Sequence, residues 1–85
     1  MSDHRTDFQG DVLTAIRDAI GVKIPGAHVE VTGGGGHYAI AVTSSAFAGK
    51  SMLESQRLVY SAITHLMSGA QPPVHAVDSL KTRAA

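Results

Sequence analysis

Residues 28–42 read HVEVTGGGGHYAIAV, and they are the clearest structural signal in the chain. Polar and apolar residues alternate on either side of four glycines, which is typical of strands that bury one face. We therefore predict a β-hairpin of strands 28–32 and 38–42, joined by the glycines 33–36. A connection of four residues is longer than the tightest hairpin turn.

An amphipathic helix is predicted before the hairpin. Thr6 and Gln9 have the spacing of a capping box, which favours a helix start near Asp7 and leaves about residues 1–6 as a flexible tail. Gly21 offers a C-terminal stop. The apolar face between these limits consists of Val12, Leu13, Ile16, Ala19 and Ile20.

A second helix and a third strand are predicted after the hairpin. Ser51 and Glu54 form another capping box, ahead of an apolar face that runs to Met67. The sequence Gln71-Pro72-Pro73 forbids continuation of the helix, so residues 74–81 are predicted to be a strand and 83–85 a tail.

These elements predict one α+β domain over residues 1–85, in the order α-β-β-α-β. A helical connection makes the second and third strands parallel, so the three-stranded sheet is mixed. Both helices should pack on one face of that sheet, because each helix and the sheet must bury an apolar surface.

Composition narrows the classes of function. Seven Lys and Arg balance seven Asp and Glu, so the chain lacks the strongly basic surface that is the simplest argument for nucleic-acid binding. The chain has no cysteine, hence no disulfide or thiolate ligand of its own. Its charged start and the lack of a long apolar segment predict neither secretion nor membrane insertion, and we expect a cytoplasmic protein.

The segment 44–51 ends in Gly49-Lys50-Ser51, as a phosphate-binding P-loop does. Ser44 stands where such a loop needs glycine, and 85 residues are too few for a nucleotide-hydrolysing domain. A simpler interpretation is that Gly49 adopts positive φ in a turn, Ser51 caps a helix and Lys50 is solvated. Alternatively, the helix N-terminus beside Lys50 meets a phosphate backbone. No catalytic triad or carboxylate pair stands out, so we do not expect an enzyme.

Two histidines adjoin predicted turns. His37 follows the glycines, and His75 begins the third strand. Histidines so far apart in sequence are by default unrelated surface residues, although a metal site is an alternative. His4, His28 and His65 give weaker signals, since they lie in a tail, on a polar strand face and near a helix end.

Three segments together resemble the BolA family: Phe47-Ala48-Gly49-Lys50-Ser51, Arg57-Leu58-Val59-Tyr60 and Val74-His75-Ala76-Val77. With the flanking helix and hairpin, the resemblance covers nearly the whole chain. The glycine-rich turn leading into His37-Tyr38 is similar to the bacterial branch typified by the short acid-stress paralogue.

This resemblance implies a fold similar to class II KH domains and two activities. One is partnership with a monothiol glutaredoxin, in which a bridging [2Fe-2S] cluster is held by the glutaredoxin cysteine, a glutathione thiol and two ligands of the BolA protein. The ligand of the final strand corresponds to His75, and the loop ligand to His37. Where the loop ligand is cysteine it lies nearer the glycines, at positions held here by Gly34 and Gly35. With imidazoles alone, this chain needs thiols from elsewhere, which favours a shared cluster.

The other activity is DNA binding, as a stand-alone regulator of stress or morphology genes. KH domains clamp nucleic acid with a Gly-x-x-Gly loop, of which residues 46–49 keep only the second glycine. Lys50, Arg57 and Lys81, with Arg83, are the candidate contacts. A second copy of the chain is a further candidate partner.

We predict that DNA binding is weak and is lost early as salt rises, because a chain with balanced charges neutralises few phosphates. Fluorescence anisotropy of a labelled duplex across a salt series measures this. Tight sequence-specific binding at about 0.15 M salt, abolished by Lys50→Ala, would reverse the ranking of the two activities.

Overall fold

The computed structural model describes residues 11–85. The predicted tail 1–6, the capping box of Thr6 and Gln9 and the helix start near Asp7 lie outside this range. The described elements are α1 (Val12–Lys23), β1 (His28–Gly34), β2 (His37–Thr43), α2 (Met52–Ile63) and β3 (Ala76–Arg83), with single 3₁₀ turns at Ser45–Phe47 and Thr64–Leu66. The predicted order α-β-β-α-β is confirmed.

The sheet has the order β1-β2-β3. Strand β1 is antiparallel to the central strand β2, and β3 is parallel to it, as predicted. Ile40 lies between Val31 and Leu80, and these residues share the face that packs on the helices. The next residue of β2, Ala41, lies between Glu30 and Lys81 on the opposite face.

Both helices pack on one face of the sheet, and this layer holds the core. Helix α1 contributes Ile16 and Ile20, and α2 contributes Val59 and Ile63, all fully buried. The buried hydrophobic residues are Ile16, Ile20, Ile24, Val31, Tyr38, Ile40, Val42, Phe47, Val59, Ala62, Ile63, Leu66 and Val74. The other face of the sheet carries short and polar side chains, and neither of the helices in residues 11–85 packs on it. None of the helices within residues 11–85 is long and apolar enough to cross a membrane.

Helix α1 passes through Gly21, where the sequence predicted its end, and continues to Lys23. Ile24 is buried and its N–H donates to the Ile20 carbonyl at 2.8 Å, so core packing carries the helix past Gly21. At the other end Asp11 is the N-cap and has an extended backbone, so α1 begins at Val12 and not near Asp7 as predicted. The hydroxyl of Thr14 donates to its carboxylate, which lowers the pKa of Asp11 below its ordinary value.

The predicted capping box of α2 is confirmed. The Ser51 N–H donates to Glu54 Oε1 at 2.9 Å, and the Glu54 N–H donates to Ser51 Oγ at 3.1 Å. The first of these bonds lowers the pKa of Glu54 below its ordinary 4.5. The ionised Glu54 therefore stabilises the folded protein fully above pH 4.5, the ordinary pKa. This stabilisation is lost as the pH falls through the lower pKa that Glu54 has in the folded protein.

The hairpin turn is tighter than predicted. Gly33 and Gly34 pair with Tyr38 and His37, which leaves Gly35 and Gly36 alone in the turn. Their φ angles of +62° and +88° have the positive sign that both central residues of a two-residue type I′ turn require. The expected four-residue connection was wrong because two consecutive glycines suffice to reverse the chain.

Strand β3 is shifted along the sequence from the predicted range 74–81. Val74 donates its N–H to the Leu66 carbonyl, so it belongs to the connection and not to the sheet. The strand continues to Arg83, whose carbonyl accepts from the Ser44 N–H at 2.9 Å, and the Ala85 N–H donates to the Ser44 carbonyl at 3.3 Å. Residues 83–85, expected to be a flexible tail, are thus bonded to the end of β2.

Gly49 has a φ of +77°, as the sequence indicated, and a Cβ there would meet no atom within 4 Å. Gly49→Ala should therefore lower the free energy of unfolding through backbone strain alone, by about 1 kcal/mol. Gly21→Ala makes the same chemical change in a helix, again with no atom within 4 Å, and should raise stability by about 0.5–1 kcal/mol. Urea melts of both variants measure the difference, and a Gly49→Ala protein as stable as the parent would contradict it.

Candidate metal centre

His75 lies directly before β3, at the point where the chain joins the hairpin turn. The Gly36 carbonyl accepts two hydrogen bonds, from the His75 N–H at 2.8 Å and from the Ala76 N–H at 3.0 Å. These bonds fix the backbone of His75 against the turn.

His37 is the first residue of β2, and its partner across the parallel pair is Ala76. The topology thus places the two predicted histidines side by side, although they are far apart in sequence. Their ring centres are 6.5 Å apart, with an angle of 78° between the ring planes. Both residues are exposed to solvent.

Gly36 forms a cradle for the His75 ring. A Cβ at this position would lie 2.6 Å from His75 Nδ1 and 2.7 Å from Cγ, far closer than van der Waals contact allows. At Gly35 a Cβ would meet nothing within 4 Å. Gly36 therefore allows the positive φ of the turn and also leaves room for the imidazole of His75.

Asp78 adds a carboxylate to the pair. Its Oδ1 lies 3.1 Å from His37 Nδ1, and the two side chains are 60% and 59% exposed. Asp78 was not among the predicted site residues. The only sign of it in the sequence was the poor alternation of polar and apolar residues in the third strand. The structure explains this by a register shift between Tyr38 and Ala39.

The two rings are close enough to converge on one metal atom by rotation. A metal lies about 2.1 Å from an imidazole nitrogen that binds it and roughly 3 Å from the ring centre, so two rings on one metal have centres at most about 6 Å apart, and about 5 Å apart at a tetrahedral angle. The observed 6.5 Å is wider than this, so binding one metal atom requires the exposed rings to rotate toward each other. Within residues 11–85, no three His, Asp or Glu side chains are grouped closely enough to hold a metal ion alone.

The other described histidines lie elsewhere. His28 is opposite Thr43, at the other end of the β1–β2 pair, and its Nε2 is 2.9 Å from Glu30 Oε2. His65 is in the 3₁₀ turn after α2. His4 is outside the described residues.

The candidate DNA contacts lie near α2 and the end of β3. Lys50 is exposed in the turn before α2, and Arg57 lies on the solvent side of that helix, two residues from the buried Ser55 and Val59. Lys81 pairs with Ala41 in the sheet, and it lines one groove with Arg83 and with Met52 and Gln56 of α2. Arg83 is exposed at the end of β3.

A family model described as BolA-like protein matches residues 13–85. The chain belongs to the BolA-like family. The resemblance found in the three sequence segments is therefore confirmed. Comparison with curated protein sequences gives no match.

Solved structures of BolA proteins have the same fold as this BolA-like chain. The solution structure of BolA1 from Mus musculus has a TM-score of 0.65 and 26% identity, covering 99% of this chain and 73% of that one. A BolA-like hypothetical protein from Rickettsia prowazekii has a TM-score of 0.65 and 20% identity, covering 91% and 99%. A bol-like protein from Babesia bovis has a TM-score of 0.65 and 24% identity, covering 89% and 87%.

The cradle can be tested with neighbouring glycines. Gly35→Ala and Gly36→Ala both place a Cβ at positive φ, which should cost about 1 kcal/mol of stability in each, and Gly36→Ala adds the clash with the His75 ring. Only Gly36→Ala should also displace the His75 ring, which NMR detects as a change in the His75 ring resonances. Unchanged His75 resonances in a folded Gly36→Ala protein would show that the ring does not rest on Gly36.

Proposed function

We propose that this chain is a non-enzymatic cytoplasmic adaptor of iron-sulfur trafficking or iron and redox sensing, which shares a [2Fe-2S] cluster with a monothiol glutaredoxin. The observation that supports this most strongly is the pairing of two exposed imidazoles, His37 and His75, at the turn end of the sheet. Membership of the BolA-like family supports the same class of function.

The donor set explains why a partner is needed. A [2Fe-2S] cluster takes four ligands, and two histidines can replace two cysteines on one iron. This chain offers two imidazoles and no thiol. The two remaining ligands would be the glutaredoxin cysteine and a glutathione thiol, and both imidazoles are open to such a partner.

The two histidines would play different parts. His75, the ligand of the final strand that the resemblance implies, has a backbone fixed by the Gly36 carbonyl and a ring seated on Gly36. His37 would be the second ligand, held beside Asp78. When bound, the cluster supplies one-electron redox chemistry, and histidine ligation raises its reduction potential.

Stand-alone DNA binding is the second candidate. The exposed Lys50 beside the N-terminus of α2 is the feature that favours it. Lys81 and Arg83 line one groove with Met52 and Gln56 of α2, but the balanced charge of the chain limits the number of phosphates that it can neutralise. We rank this function below cluster sharing.

The proposal predicts unequal effects of two alanine variants. Mixing the protein with a monothiol glutaredoxin, iron, sulfide and glutathione should give a visible spectrum distinct from that of the glutaredoxin cluster alone. His75→Ala should abolish this mixed spectrum, because it removes the ligand with the fixed backbone. His37→Ala should leave a weakened or altered one, since water or a neighbouring group can replace a ligand beside a turn.

His65→Ala, outside the site, is the matched control and should give the parental spectrum. Thermal melts of all three variants separate loss of ligation from loss of folding. Parental spectra from both His75→Ala and His37→Ala would overturn the proposal. An unchanged glutaredoxin spectrum from the parent protein would favour the DNA-binding alternative.

A further inference from the structure

Asp78 is placed by an irregularity in the sheet. In the parallel pair, Tyr38 is opposite Val77 and the next residue, Ala39, is opposite Ser79, so Asp78 has no partner and forms a β-bulge. Bulges are rare between parallel strands and are enriched beside functional sites, where they redirect a side chain. This bulge lies beside the His37 pairing with Ala76.

The bulge also explains how β3 contributes to the core. Val77 and Leu80 are three residues apart, and in an unbroken strand they would point to opposite faces. Both pack against the core, because the extra residue restores the alternation after Asp78. Burial of two apolar side chains therefore holds the bulge in place, and the bulge holds Asp78 near His37.

The contact between Asp78 and His37 selects one nitrogen of the ring. An ionised carboxylate can only accept a hydrogen bond, so the 3.1 Å contact requires the proton on His37 Nδ1. In a neutral imidazole the lone pair is then on Nε2. A carboxylate that accepts from the second ring nitrogen is the usual partner of a metal-binding histidine.

We propose that Asp78 is a positioning residue for His37, which holds the ring in the Nδ1–H tautomer and presents Nε2 as the ligating atom. This inference rests on the proposed function, and it deepens that function by naming the atom and the group that orients it. His75 is positioned differently, by its seat on Gly36 and by the backbone bonds to the Gly36 carbonyl.

A second histidine-carboxylate pair provides a matched control. His28 and Glu30 lie 2.9 Å apart and are exposed to a similar degree, 71% and 70%. Their contact uses Nε2 of His28, the nitrogen that His37 keeps open, and His28 has no second imidazole beside it among the ring contacts of the described residues. Glu30→Gln therefore perturbs the same kind of pair away from the site.

The first measurement needs no metal. Long-range ¹H–¹⁵N NMR spectra of the protein alone report which nitrogen of each neutral ring carries the proton. The parent should show His37 as the Nδ1–H tautomer, and Asp78→Ala should shift it toward Nε2–H. Asp78→Asn keeps an oxygen acceptor and should retain part of the parental signal, whereas Glu30→Gln should leave His37 unchanged.

The second measurement uses the mixed cluster with glutaredoxin and glutathione as the probe. Asp78→Ala should raise the protein concentration needed for half-conversion to the mixed spectrum by about tenfold or more, the usual effect of removing such a partner. Asp78→Asn should fall between Asp78→Ala and the parent, and Glu30→Gln should match the parent. Because Asp78 is 60% exposed, thermal melts should show all three variants folded.

The outcomes separate this inference from the function on which it rests. An unchanged His37 tautomer in Asp78→Ala overturns the positioning role, whatever the cluster does. A changed tautomer with half-conversion at the parental concentration overturns it as well, and both results leave the shared cluster intact. A parent protein that forms no mixed cluster overturns the proposed function and this inference together.

Discussion

The Gly36 carbonyl accepts hydrogen bonds from two successive backbone N–H groups, those of His75 and Ala76. This contact begins the parallel pairing of β2 with β3, two strands separated by a whole helix and therefore costly to bring together. It sets the register in which His37 is opposite Ala76. It also places the His75 ring against Gly36, which has no Cβ. One carbonyl thus joins the hairpin, the last strand and the two imidazoles.

The site combines rigid support with exposed donors. Behind it, two helices and the inward residues of the sheet form the core, and the bulge at Asp78 is held by the packing of Val77 and Leu80. In front, both rings face solvent, where a partner that supplies thiols can reach them. Lys81 and Arg83 lie at the other end of β3 from the two imidazoles, so the fold keeps the metal-binding side chains apart from these basic residues.

Local patterns allowed much of this to be predicted. Alternation and three-to-four spacing identify the strands and helices, the Ser51–Glu54 spacing identifies a cap, and Gly49 identifies a residue with positive φ. The two-residue turn, the extension of α1 past Gly21 and the bulge at Asp78 depend on which residues the core buries, and this is set by contacts distant in sequence. The resemblance to a family indicated His37 and His75, whereas their neighbour Asp78 became visible only through the register of β3.

The decisive measurement is pulsed electron paramagnetic resonance of the reduced mixed cluster, prepared from ¹⁵N-histidine-labelled chain and unlabelled glutaredoxin. Couplings to labelled nitrogens report ligation by this chain alone, since its partner carries no label. We expect couplings from two inequivalent histidine nitrogens in the parent cluster and from one in the weakened cluster of His37→Ala, whereas His75→Ala should form no mixed cluster. A parent cluster that shows no labelled coupling, or only one, would contradict a two-histidine site at the hairpin turn.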